Sequence, residues 1–145
     1  MDFNSSMRIS ASGLTANRVW MNVVSSNLAN ANTTKTANGK PYERRTLICE
    51  SASLPQSFDE ALDGAFGEDL STVRVTEVVP DKREFKNVYD PGHPDANEEG
   101  MVMMPNVNPV EEMANLVMAS RAYEANLAAL NTSKQLALKA IEIGR

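Results

Sequence analysis

Apolar residues in the first thirty positions recur with helical spacing. Met7, Leu14, Met21 and Leu28 stand at intervals of seven, with Ala11 and Val24 between them, which is the spacing of a coiled-coil seam. A second stripe of Ile9, Gly13, Ala16, Trp20 and Val23 lies beside the first, and after Asp2 only Arg8 and Arg18 carry charge up to position 34. A helix so poor in charge is expected to have neighbours on more than one side. Its carboxamides, Asn17, Asn22, Asn27 and Asn30, are candidates to cross-link such neighbours, the plainer alternative being that some of them face water.

The far end of the chain gives an equally clear helical signal. Asn108 can cap, Pro109 suits the first turn, and Glu111 can return the capping-box bond. From there Met113, Leu116, Tyr123, Leu127, Leu130, Ala137 and Ile141 follow a three-four alternation, and Met118, Ala122, Ala125, Ala129, Leu136, Ala140 and Ile143 make a second seam that Gly144 ends. At about 1.5 Å per residue the C-terminal helix is roughly 50 Å long and the N-terminal one roughly 40 Å. The expected arrangement is a rod-like antiparallel coiled coil of the two ends, with a short extended or β connector between them.

Between the helices the period changes. Asn38-Gly39 is a turn signal, Tyr42 to Cys49 and Val73 to Val79 read as strands, Pro80 to Arg83 as a loop, and the stretch around Phe85 to Tyr89 as a third strand. Residues 51–71 are acidic and read as a mobile loop, with a marginal helix on Phe58, Leu62 and Phe66 as the alternative, weakened by Gly64 and Gly67. The fold class is thus mainly α with a small β region, divided as an N-terminal helix in 1–34, a connector in 35–108 and a C-terminal helix in 109–145.

Composition sharpens that division. All seven prolines lie between Pro41 and Pro109, leaving both ends free to be helical. Residues 1–34 hold two basic and one acidic side chain, 35–108 hold eight and fourteen, and 109–145 hold four and four, so the acidic surplus behind the net charge of -5 lies in the middle. That balance argues against a grip on nucleic acid phosphates. The longest apolar runs are four residues, as in Met101 to Met104, far short of a membrane span. The first residues have no apolar h-region, so the expectation is a cytoplasmic protein or one exported without a cleaved signal.

Little in the chain suggests catalysis. A single cysteine, Cys49, and a single histidine, His93, complete no zinc site of Cys and His ligands within one chain, and no cofactor or small-molecule substrate is expected. The most site-like run is Asp90-Pro91-Gly92-His93-Pro94-Asp95, where two carboxylates and the imidazole fall within six residues. Without a phosphate-binding loop or a nucleophile elbow nearby, it reads as a stiff turn rather than a catalytic or metal site. Three sequons, at Asn4, Asn32 and Asn131, are discounted for want of a secretory signal. Cys49 reads as a small hydrophobe, and Met101, Met103, Met104, Met113 and Met118 as adaptable contact surface or gap-filling core.

Longer motifs are more specific. Ser12-Gly13-Leu14-Thr15-Ala16 followed by the run from Met21 to Thr34 (MNVVSSNLANANTT) resembles the N-terminal signature of bacterial flagellar rod and hook proteins. The run from Asn115 to Asn126 (NLVMASRAYEAN) with Leu130-Asn131-Thr132-Ser133-Lys134 is similar to the C-terminal helix of that family. Val88 to Ala96 and Met104 to Asn108 resemble the stretch that marks its proximal-rod branch, in which Asp90, Pro91, Gly92, His93 and Pro94 form a structural connector. The resemblance implies a non-enzymatic subunit of the proximal rod, stacked helically into a hollow drive shaft that transmits torque and passes exported subunits. It implies packing within and between subunits through Met7, Leu14, Trp20, Met21, Leu28, Met113, Leu116, Tyr123, Leu127, Leu130, Leu136 and Ile141. Implied partners are further copies, other proximal and distal rod proteins, inner-membrane ring adaptor proteins and the flagellar type III export apparatus; the implied location is the basal body, with the rod spanning the periplasm. A cytoplasmic coiled-coil adaptor holding one partner helix is the rival from another class.

Overall fold

The computed structural model describes residues 3–53 and 70–144. Two helices flank two small sheets: α1 (Phe3–Ala29), β1 (Arg45–Ser53), β2 (Ser71–Pro80), β3 (Lys86–Tyr89), β4 (Met101–Met104) and α2 (Pro109–Ile143). The mainly helical reading with a small β region agrees with this architecture, and several boundaries differ from the sequence expectation.

The first strand starts at Arg45 rather than Tyr42, because residues 42–44 are taken by other partners. The Tyr42 amide donates to the Thr33 carbonyl, and the Arg44 amide donates to Asn106 Oδ1 at 2.7 Å. The strand then runs on to Ser53, so the ends of the acidic segment, residues 51–53 and 71, belong to strands; the rest of that expected loop, including its alternative helix, lies outside the described residues. A fourth strand, β4, was not anticipated. It alternates as a strand does, with Val102 buried and Met103 exposed, and pairs antiparallel with β3 in the register Lys86 to Met104, Val88 to Val102 and Tyr89 to Met101. The β1–β2 ribbon is also antiparallel: the Asp81 amide donates to the Arg44 carbonyl at one end, and Thr72 Oγ1 donates to the Ala52 carbonyl near the other.

Local chemistry sets the helix ends. Asn108 caps α2, its Oδ1 accepting from the Val110 amide and its carbonyl from the Glu112 amide. The expected return bond from Glu111 is replaced by an ion pair to Arg83, since a guanidinium outcompetes a neutral amide for a carboxylate. Helix α1 ends at Ala29, before the expected limit of 34, where Asn30 folds its amide side chain back onto the Ser26 carbonyl. The Asn38-Gly39 turn is present, Gly39 taking the left-handed conformation with φ 73° and its amide donating to the Thr36 carbonyl.

The described residues form two compact units, one drawn from 3–19, 49–53, 70–76 and 119–144, the other from 20–48 and 77–118, with both helices running through each. In the first unit Ser6 and Ser133 share a hydroxyl hydrogen bond of 3.2 Å. The bare backbone of Gly13 there admits Asn126 so closely that a Cβ would lie 2.9 Å from its Nδ2. Ser12 Oγ accepts from the Val73 amide and so ties α1 to β2. In the second unit Val24, Val102, Val107 and Tyr42 form the apolar core, and Asn27 on α1 donates to Glu112 on α2.

In three helix-to-helix contacts among the described residues the position numbers of the pair, 6 with 133, 13 with 126 and 27 with 112, add to 139. The covered positions of α2 include the unbroken three-four series Glu112, Leu116, Ala119, Tyr123, Asn126, Leu130, Ser133 and Ala137. On α1 the matching series is Ser6, Ser10, Gly13, Asn17, Trp20, Val24 and Asn27. The apolar heptad Met7, Leu14, Met21 and Leu28 stands one residue further on, half-buried beside that series.

Candidate functional site

The densest concentration of chemistry is a polar cluster in the second unit. Asn27 and Glu112 have no exposed surface. Asn27 Nδ2 donates to Glu112 Oε2 at 2.9 Å and to the Arg45 carbonyl at 2.8 Å, while its Oδ1 accepts from Tyr42 Oη and the Arg45 amide. Arg44 reaches Glu112 Oε1 through Nε and Nη2, both at 2.8 Å, and Asp81 through Nη1 at 2.9 Å. Asn106 completes the frame: its Oδ1 accepts from the Arg44 amide and its Nδ2 donates to the Asp81 and Arg83 carbonyls. Five chain segments are thus joined around one buried carboxylate, which Asn27 and Arg44 bond directly.

Toward solvent, Arg83 extends the cluster by bonding Asp81 and both oxygens of Glu111. Burial pushes the Asp81 carboxyl up, but bonds from the Arg83 side chain and amide and from Arg44 outweigh it and hold the group below its ordinary value. Glu111 is likewise held low, chiefly by its bonds from Arg83. The Arg83 guanidinium is raised in turn, by Glu111 first and Asp81 second.

The buried donors and acceptors of this cluster are engaged inside the chain. Among the described residues no buried side-chain nitrogen or oxygen lacks a partner, and no three His, Cys, Asp or Glu side chains converge in a metal-holding group. A buried, fully satisfied network can bind segments together and fix their geometry; it has no free base or open ligand position to offer a substrate.

The run from Asp90 to Asp95 forms the loop between β3 and β4. The Asp90 amide donates to the Gly100 carbonyl, Asp90 Oδ1 accepts from the Gly92 amide, and His93 Nδ1 accepts from the Asp95 amide. Gly100, at φ 74°, packs where a Cβ would meet the Tyr89 ring at 2.9 Å, so the loop closes only on glycine. Thr34 Oγ1 ties the loop down through Asp95 Oδ2 at 2.7 Å. Asp90, Pro91, Gly92 and Pro94 are exposed and His93 is half-buried. An open cleft of about 620 Å³ adjoins them, lined by Lys35, Lys40, Phe85, Pro94, Asp95 and Met103 among others.

Of the packing residues expected from sequence, Met7, Leu14, Trp20, Met21, Leu28, Leu116, Tyr123 and Leu130 are half-buried. Met113, Leu127, Leu136 and Ile141 are exposed in the single chain, Leu136 and Ile141 by about two-thirds. Sequence reasoning singled out Asn27 as a cross-linking carboxamide, and it is one, within the chain. It missed Glu112, Arg44, Asp81 and Asn106. Glu112 left a signal: four residues before Leu116, a carboxylate occupies a position that the three-four alternation reserves for the covered face.

Two family models match the chain, one described as flagella basal body rod protein over residues 7–35, the other as the C-terminal part of flagellar basal body rod FlgEFG proteins over residues 98–143. The flagellar basal-body rod protein FlgC of Bacillus subtilis (strain 168) is 46% identical over 147 residues, spanning 97% of each chain. The chain belongs to the FlgC family of flagellar basal-body rod proteins. FlgC of Borreliella burgdorferi is 39% identical over 99% of this chain and 98% of its own, and FlgC of Aquifex aeolicus (strain VF5) is 39% identical over 94% and 92%. The two family models cover the ends of the chain that carry α1, the β4 region and α2, whereas the FlgC relatives extend the likeness through the connector.

Proposed function

We propose that α1 and α2 pair as an antiparallel coiled coil and that copies stack helically, beside other rod proteins, into a hollow shaft crossing the periplasm. The chain is a structural subunit of the flagellar basal-body rod and not an enzyme, in keeping with its FlgC relatives. The observation that carries the finer reading is the pair of faces on α2. One face is covered within the chain, and around the rest of the circumference and at its far end Met113, Val117, Leu127, Leu136 and Ile141 are exposed. Apolar surface of that extent on a helix is suited to burial against neighbours, and a heterologous contact that does not close on itself builds a helical array.

Torque passes along such a shaft through the packed helices and needs no catalysis. The exposed connector 90–95 and the outer face of α2 supply contacts to further copies, to proximal and distal rod proteins and to the inner-membrane ring adaptor. Delivery is through the flagellar type III export apparatus. A cytoplasmic adaptor with one partner helix is not favoured, since the curated relatives spanning nearly the whole chain are rod proteins. Electron microscopy of basal bodies from cells lacking this chain tests the reading. Basal bodies without a rod are expected; intact rods would refute it.

A further inference from the structure

We propose that the polar positions shared by α1 and α2 are the specificity determinants of helix pairing: Ser6 with Ser133, Gly13 with Asn126 and Asn27 with Glu112 select one partner helix in one register. The inference rests on the antiparallel pairing proposed above and goes beyond it by naming the residues that choose the pairing.

The apolar heptad of α1 cannot make that choice. Met7, Leu14, Met21 and Leu28 repeat every seven residues, so sliding α1 by one heptad replaces each with a residue of the same kind at the same place. Such a stripe adheres equally well in several registers, and equally well to a similar helix of another copy. In a shaft built of many like helices, adhesion without discrimination is a hazard.

The polar series lacks that translational symmetry. At the same heptad spacing α1 presents Ser6, Gly13, Trp20 and Asn27, while α2 presents Ser133, Asn126, Ala119 and Glu112. Only pairs adding to 139 set hydroxyl against hydroxyl, bare backbone against the Asn126 amide, and Asn27 against Glu112. Sliding one heptad one way sets Trp20 against Asn126 and Asn27 against Ala119; sliding the other way sets Trp20 against Glu112 and Gly13 against Ala119. Each wrong register presses an indole onto a polar side chain and breaks the hydrogen bond between Asn27 and Glu112, neither of which has any exposed surface. The penalty falls on the alternatives rather than adding to the native pairing, which is how a buried polar residue in a coiled coil specifies register.

Disulfide trapping in the full chain tests this, in a Cys49→Ser background. Ser6→Cys with Ser133→Cys reports the native register, and Ser6→Cys with Ala140→Cys reports a slip of one heptad. Each pair is examined in the otherwise native sequence, with Asn126→Leu added, and with Asn126→Leu, Asn27→Leu and Glu112→Leu together, both in the free chain and in isolated basal bodies. The native-register pair is expected to close within one chain and the slipped pair to stay at least tenfold lower until the polar positions are made apolar, when slipped and interchain disulfides rise severalfold. Asn126→Leu, remote from the Arg44 cluster, gives an intermediate rise in a chain whose fold that cluster still holds. Slipped and interchain products that stay at the native level in both apolar variants, with helix retained, would overturn the inference and leave the pairing intact. Failure of the native-register pair to close in either setting would overturn the antiparallel pairing itself.

Discussion

At Gly13 a single hydrogen decides how closely another side chain can approach. A methyl group there would stand 2.9 Å from Asn126 Nδ2 and 3.1 Å from its Cγ, so Gly13→Ala is expected to cost about 1–3 kcal/mol by overpacking, more than the roughly 1 kcal/mol gained in helix propensity. In an Asn126→Ala background the obstruction is gone and the same substitution becomes stabilising by up to about 1 kcal/mol. Urea unfolding followed by the helix signal reads this reversal of sign, and its absence would show that the Asn126 side chain moves aside freely. Arg44 is the second residue of consequence. Removing it leaves the buried Glu112 without its guanidinium partner, so Arg44→Ala is expected to destabilise by about 3–5 kcal/mol. Replacing both partners, as Arg44→Met with Glu112→Leu, recovers much of that loss. Protonation acts on the same cluster from its outer side. Asp81 and Glu111 have folded pKa values below the ordinary 3.8 and 4.5, so their contribution is fully present above those values and is lost as the pH falls through the lowered ones. Acid unfolding is therefore expected to begin near pH 4, and to begin at a higher pH at high salt, because Arg83 and Glu111 are partly exposed and their pairing is screened.

Among the elements, α2 separates two roles that its sequence merges. Leu127 and Leu130 both belong to the three-four alternation, yet Leu130 is covered and Leu127 is 41% exposed. Leu130→Asp is expected to lower the helix content of the free chain, whereas Leu127→Asp leaves it unchanged and blocks incorporation into the rod. His93→Ala, in a loop held by Asp90, Gly100 and Thr34 rather than by its own ring, is expected to leave both largely intact. Circular dichroism beside immunoblots of purified basal bodies checks all three substitutions, and equal loss of incorporation from His93→Ala would assign a site to that loop.

Both helices, the Asn38-Gly39 turn and the second strand were legible in the sequence because each depends on residues close in the chain: periodicity, a cap, a left-handed glycine. The Arg44–Glu112 cluster was not legible, because the bonds that join its segments span 15 to 85 positions, and Arg44, Asp81 and Glu112 look, one at a time, like ordinary surface charges. β4 was hidden for a related reason, since four residues of Met and Val carry too short an alternation to reveal a strand without its partner β3.

For the molecule as a whole, the exposed apolar residues at the end of α2 matter only in company. Ala140, Ile141 and Ile143 are exposed in the single chain, so removing residues 140–145 is expected to leave the helix content of the free protein nearly unchanged. Burial of two isoleucines against neighbours is worth a few kcal/mol at about 25 cal/mol per Å², so the truncated protein is expected to be made and exported yet absent from purified basal bodies. Normal rods containing it would contradict assembly through this face. The free chain is also expected to show less helix than α1 and α2 together would give. So much of the joining face is Ser, Gly and Asn that apolar burial offsets little of the roughly 1–2 kcal/mol per residue lost on ordering the backbone. A dilute monomer with full helicity would contradict that.

The distance along the chain between Asn27 and Glu112 also sets a clock. Asn27 cannot find its carboxylate until a chain segment 85 residues away has arrived, and Ser6 waits for one 127 residues away. Contacts of such long sequence separation form late, after the entropy of closing a large loop has been overcome. On the export route proposed above, a chain threaded end-first would therefore lack its helix-to-helix contacts while half of it is still inside. The two helices would join only once both ends are free.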